Sequence, residues 1–167
     1  MKKIISFSIF NNRPKDVIGL ICNCILVPYI YPGWTCRIYY DNTVSVECIN
    51  VLKSLPYTEF YNMTEHWLSS YDQKMWRFLA ASDKNVDVMI SRDADSWISK
   101  REFVCVEEWL KSDKIIHIIR DHCYHSKEMM AGMWGIKKNN LDIESKLKDM
   151  VEKYKEPKLG DQPFLKQ

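Results

Sequence analysis

A short apolar run that ends in an acidic pair sets the frame for this chain. From Asn85 to Ser96 the sequence reads NVDVMISRDADS, and Val86, Val88, Met89 and Ile90 make the run β-rich. Runs of this kind are buried in parallel sheets. Asp93 and Asp95 follow at once. Side chains two residues apart in an extended chain point the same way, so both carboxylates converge at the strand's carboxyl end. Open α/β sheets bind ligands at that edge. Two hard carboxylates there suit Mg2+ or Mn2+, which bridge to phosphate oxygens.

An acidic pair also caps helices, so the start of the next helix decides between the two roles. Ser99 and Glu102 form a capping box for that helix, over Ser99 to about Ser112. It does not need Asp93 or Asp95, which leaves them for a ligand.

The rest of the chain alternates strand and helix. Lys3 to Phe10 reads as the first, central strand, and Pro14 opens a helix that Pro28 ends or kinks. A strand over Thr35 to Tyr40, a short helix over Val44 to Ser54 and a strand over Tyr57 to Tyr61 come next. Ser70 to Gln73 is a capping box for a helix to about Ala81, with Met75, Trp76 and Leu79 inward. Beyond the acidic pair come strands at Ile115 to Ile119 and Met133 to Ile136, then an amphipathic helix from Leu141 to Tyr154. This alternation predicts an α/β fold with a mostly parallel central sheet and right-handed crossovers. At 167 residues it is one domain, 1–167.

Composition excludes several classes. With a net charge of +2 there is no electrostatic argument for a nucleic-acid partner. The N-terminal apolar run is short and broken by polar residues, so neither a signal peptide nor a transmembrane span is expected. Six cysteines lack zinc-type pairing, and Cys22 and Cys24 fall on different faces of one helix. Reduced thiols in the cytoplasm are the expectation. Trp67, Trp76 and Trp97 offer either a stacking platform or core, and Trp76, at helical spacing, reads as core. His117, in an apolar strand, reads as packing.

The ordered blocks NNRP, CRIYYDN, WRFLAASD, VMISRDADS, HIIRDH, GMWGIK and GDQPFL resemble small GT-A-type glycosyltransferases of bacteria and large DNA viruses, from about residue 3 to 165. The resemblance implies a Rossmann-like, nucleotide-sugar-binding GT-A fold, with host cytoplasm as the compartment if the chain is viral. It implies that Phe7, Ser8 and Asn11 border the base and ribose, and that Arg77 and Arg92 lie near the donor's ribose and phosphates. Asp93 and Asp95 would hold ribose and a Mn2+ or Mg2+ ion under a UDP-sugar diphosphate. Asp121 and His122 would border the sugar. Asp161-Gln162 resembles the Asp-Gln pair of glycogenin-like retaining enzymes, which faces the anomeric carbon.

The pattern departs from that family after this pair. Glycogenin-like enzymes carry a further metal-binding His and more sheet, whereas this sequence ends at Gln167. The third ligand is then water, a group elsewhere such as His125, or absent in a truncated or non-catalytic copy. The expected reaction is transfer of a sugar from a UDP-sugar to a glycan or other hydroxyl acceptor, with retention favoured. A binding protein without turnover is the alternative. A phosphohydrolase fits less well, because its Asp-x-Asp usually comes after the first strand and this one comes after the fourth. Oligomeric state is not fixed by the sequence.

Overall fold

The computed structural model describes residues 1–120, 122–123, 128–137, 142–154 and 160–166. Six strands form one sheet: β1 (Lys3–Ile9), β2 (Trp34–Tyr40), β3 (Thr58–Asn62), β4 (Val88–Ser91), β5 (Ile116–Ile118) and β6 (Trp134–Lys137). Their spatial order is β3-β2-β1-β4-β6-β5, with β1 inside the sheet as its sequence predicts. β1 pairs in parallel with β2 and β4, and β2 with β3. β6 alone is reversed, antiparallel to both β4 and β5.

Alternation along β1 divides the core. Ile5, Phe7 and Ile9 enter one apolar layer with helices α1 (Pro14–Ile30), α2 (Val46–Lys53) and α3 (Lys100–Lys111). Ile4 enters the other, beneath the segment Gln73–Ser82, α4 (Ile143–Tyr154) and α5 (Asp161–Phe164). Ser6 and Ser8 share that second face and meet Arg77 rather than apolar side chains.

That meeting changes the segment's conformation. The capping box at Ser70 predicts an α-helix, but Gln73–Ser82 is 3-10 helix and is capped by Asp72, whose carboxylate accepts from Lys74 N at 3.0 Å. Ser6 Oγ donates to the Arg77 carbonyl at 2.7 Å, and Arg77 N donates to Ser8 Oγ at 3.0 Å. Both backbone groups of Arg77 are thereby taken out of a helical ladder. Leu79 is only partly buried, while Phe78 and Ala80 join Met75 and Trp76 inside. Pro28 does not end α1, which runs on to Ile30. Ser99 and Glu102 do form the reciprocal capping box. No helix among the described residues is long and apolar enough to cross a membrane.

Candidate functional site

The acidic loop between β4 and α3 is fixed from beneath by α1. Gly19 passes so close that a β-carbon there would lie 2.4 Å from the Ala94 carbonyl and 2.9 Å from Asp95 Cα. One turn on, the fully buried Asn23 donates to the carbonyls of Ala94 (3.3 Å) and Ser96 (3.0 Å). Its Oδ1 accepts from Ile98 N at 2.9 Å. A single amide thus satisfies three backbone groups of an irregular loop that has no ladder of its own.

Each acid of the pair faces a different cation. Asp93 accepts from Arg77 Nη1, which also donates to the Arg92 carbonyl at 3.0 Å. Arg77 Nη2 reaches Asp161 Oδ2 at 3.1 Å, and the whole Arg77 side chain is buried. Asp95 accepts from Lys15 Nζ at 2.7 Å. This hydrogen bond holds the Asp95 carboxyl below the usual carboxylate range and raises the Lys15 amine.

Asp93 stands between two cavities. One, of about 240 Å3, is bordered by Ser8, Phe10, Arg13 with its ion-pair partner Asp16, Lys15, Lys74, Arg77 and Asp95. The other, of about 540 Å3, is bordered by Trp97, Arg101, Glu102, His122, Met130 and Gly132. Gly132 is packed on the acid itself, since a β-carbon there would meet Asp93 Oδ2 at 2.1 Å.

The expected site residues are therefore gathered only in part. Ser8, Arg77, Asp93 and Asp95 share the smaller cavity, and His122 borders the larger. Phe7 is fully buried in the α1 layer, because strand alternation turns it away from Ser8 and the cavity. Arg92 is also withdrawn. It is 1% exposed, with Nε 3.6 Å from Glu102 and Nη1 on the Ser91 carbonyl at 2.8 Å. Arg77, not Arg92, supplies the cavity's buried guanidinium.

Asn11 is exposed at the end of β1, where it and Asn12 take positive φ of 59° and 46°. Its backbone N–H donates to Thr43 Oγ1 at 2.7 Å. Asp161 is buried against Arg77. With its amide turned so that both ends are satisfied, Gln162 donates to the Met129 carbonyl (3.1 Å) and accepts from Ala131 N (2.8 Å). Asp121 and His125 lie outside the described residues. No group of three metal-ligating side chains occurs among the described residues.

Several contributors were not evident from sequence: Gly19, Asn23 and Gly132 as supports, and Arg13, Lys15 and Lys74 as cavity cations. Asn23 did leave a signal, being a polar residue between Leu20 and Cys24 on the helix's buried stripe. Gly132 acts across a long loop and left none.

No protein-family model and no curated protein matches the chain. Solved structures do. Galactosyltransferase LgtC, determined with donor and acceptor sugar analogues, superposes with a TM-score of 0.67 at 14% identity, over 98% of this chain and 69% of that one. Glycosyltransferase GlyE of Streptococcus pneumoniae TIGR4 gives 0.62 at 14% identity, over 99% and 42%. Mannosyltransferase PcManGT of Pyrobaculum calidifontis, in complex with GDP-Man and Mn2+, gives 0.58 at 9% identity, over 89% and 46%. Together with the mixed sheet between two helical layers, these likenesses establish that the chain has the GT-A fold of glycosyltransferases.

Proposed function

We propose that this chain is a glycosyltransferase that moves a sugar from a uridine diphosphate sugar to a hydroxyl acceptor. The observation that carries the reading is the shared cavity: Asp93 and Asp95 at the carboxyl edge of β4 border it with Arg13, Lys15, Lys74 and Arg77. Asp16 borders it too, paired with Arg13 at 2.6 Å, which leaves Lys15, Lys74 and Arg77 beside the Asp93–Asp95 pair, a set that suits a diphosphate with a divalent ion. The likeness to PcManGT, which binds GDP-Man and Mn2+, supports the same class of donor.

The residues fit a divalent cation of the Mg2+ or Mn2+ type, which takes one or two carboxylates and completes its shell with water and substrate phosphates. Asp93 and Asp95 would hold it, and when bound it stabilises charge on the departing diphosphate. The remaining work falls to this chain's own side chains. Breaking the anomeric C–O bond leaves negative charge on the β-phosphate, which Lys15 and Lys74 at the cavity's border would offset, while Arg13 is paired with Asp16. Arg77, held by Ser6, Ser8 and Asp161, orients Asp93 between the two cavities. The larger cavity, with His122 and the exposed Trp97, takes the sugar and the acceptor.

Asp161 supports the smaller cavity through Arg77, and Gln162 holds the backbone on either side of Met130, which borders the larger one. Retention is the outcome we favour, on the resemblance of this pair to that of glycogenin-like enzymes. All six cysteines are unpaired, which supports a reducing compartment such as the cytoplasm.

Titration calorimetry with UDP, in Mn2+ and in chelator, tests the donor site; equal affinities would count against the metal. Binding without turnover is a second reading, favoured by the engagement of Asp161 and Gln162 in internal contacts. Mn2+-dependent hydrolysis of a UDP-sugar panel separates the two, because a binding protein gives none.

A further inference from the structure

Lys15 stands where helix chemistry disfavours a cation. It is the second residue of α1, at the helix's positive end, where an acid such as Asp16 is the stabilising choice. Nor is it a core contact. Its side chain is 64% exposed and that of Asp95 38%, so water reaches the pair. Helix stability and packing therefore leave the residue unexplained, while its 2.7 Å contact with Asp95 at the edge of the smaller cavity does not.

The two acids differ in the cation each one faces. Arg77, at Asp93, is 3% exposed, its backbone held by the hydroxyls of Ser6 and Ser8 and its guanidinium by the Arg92 carbonyl, Asp93 and Asp161. Lys15, at Asp95, sits on a flexible four-carbon stem whose head can change partner without moving the backbone. A divalent ion at Asp95 would repel the ammonium beside it. A diphosphate in the same cavity offers that ammonium another anion.

On the proposal that this cavity takes a nucleotide-sugar donor, we infer that Lys15 is an exchangeable counter-ion. It competes with the divalent cation for Asp95, and it transfers to the diphosphate when the cation takes the carboxylate. Asp95 is thus shared between two cations, and the diphosphate decides which one holds it. The cation alone then binds weakly. UDP retains affinity without the cation, because Lys15 and Lys74 still face it, whereas Arg13 is paired with Asp16.

The test uses the full chain as wild type, Lys15→Met and Lys15→Arg, with three titrations: Mn2+ alone, UDP in chelator, and UDP in saturating Mn2+. Lys15→Met is expected to bind Mn2+ alone about three- to tenfold more tightly, the scale of one charge at a solvated pair. Its affinity for UDP in chelator should fall by about the same factor, so the enhancement of UDP binding by Mn2+ grows. Both changes should shrink in about 1 M salt, because the pair is exposed. Lys15→Arg should resemble wild type, and melting temperatures should stay within about 2 °C of one another.

Unchanged or weaker Mn2+ binding by Lys15→Met, beside a wild type that binds both ligands, overturns the exchange and spares the donor site. A melting temperature lower by many degrees assigns Lys15 a structural role and overturns it as well. A wild type that binds neither Mn2+ nor UDP overturns the donor site, and the exchange with it.

Discussion

Replacing Asn23 with alanine takes three hydrogen bonds from the acidic loop in one step. The partners are the Ala94 carbonyl, the Ser96 carbonyl and the Ile98 N–H, at 3.3, 3.0 and 2.9 Å. A buried group left without a partner costs about 1–3 kcal/mol. Two of the three are fully enclosed. The contact to Ala94 is long, and water can replace the one to Ser96, which is exposed. The net loss is therefore about 2–4 kcal/mol, a large share of the ~5–15 kcal/mol that holds a typical domain together. For a chain of this length that corresponds to a melting temperature lower by about 5–15 °C. Asn23→Asp should be at least as damaging, because a carboxylate would turn acceptor oxygens toward two carbonyls.

Urea and thermal unfolding measure the stability term, and UDP titration in Mn2+ on the folded variant measures the site. We expect at least a tenfold loss of affinity, since Asp95 sits inside the released stretch. Asn23→Ala within about 0.5 kcal/mol of wild type, with UDP binding intact, would show that the loop is held by something other than this amide.

Gly132→Ala would set a β-carbon 2.1 Å from Asp93 Oδ2 and 2.6 Å from its Cγ, so the carboxylate must leave its present position. Affinity for UDP with Mn2+ should fall at least tenfold, with a stability loss on the ~1–3 kcal/mol scale of overpacking, read by calorimetry and urea unfolding. Asp93→Ala should destabilise more than Asp95→Ala, because it strips one of two carboxylates from the buried Arg77, whereas Lys15 is solvated. Paired melting temperatures in the reverse order would refute this. His117, stacked on Trp109 at 5.1 Å, is held neutral by burial and then by the nearby Arg92, which lower its pKa from 6.5 to about 4. The unfolded chain takes up that proton below about pH 6.5 and the folded chain does not. Its contribution to stability therefore declines as pH falls from about 6.5 to about 4 and levels off below that, by at most ~3 kcal/mol. His117→Phe should keep the stack and flatten this part of the profile in melting curves taken across that range.

The strands and most helices were legible because burial on a sheet or stripe leaves a period in the sequence. The capping box at Ser99 followed from local rules, whereas Asp93 and Asp95 border one cavity from a turn beyond β4, not by the alternation of an extended strand. What stayed hidden was non-local. The 3-10 geometry of Gln73–Ser82 depends on two serines of β1 about seventy residues earlier. Arg92 reads as a ligand-facing arginine beside an acidic pair, yet its side chain turns inward to Glu102. Phe7 failed for a simpler reason. Strand period alone would have placed it opposite Ser8, had the face been assigned before the role.

The three bonds from the Arg77 guanidinium bear on the order in which the molecule is made. Its acceptors belong to residues 92, 93 and 161, so no chain that stops short of Asp161 holds them all. During synthesis β1 to β4, which pair with one another in parallel, are complete once Ser91 has emerged, and that side of the sheet can form then. Until α5 arrives, the guanidinium is one carboxylate short. The support of Asp93 is thus completed by a segment made some seventy residues after the acid itself. Premature termination between the two yields a chain with most of its parallel sheet and an unfinished site.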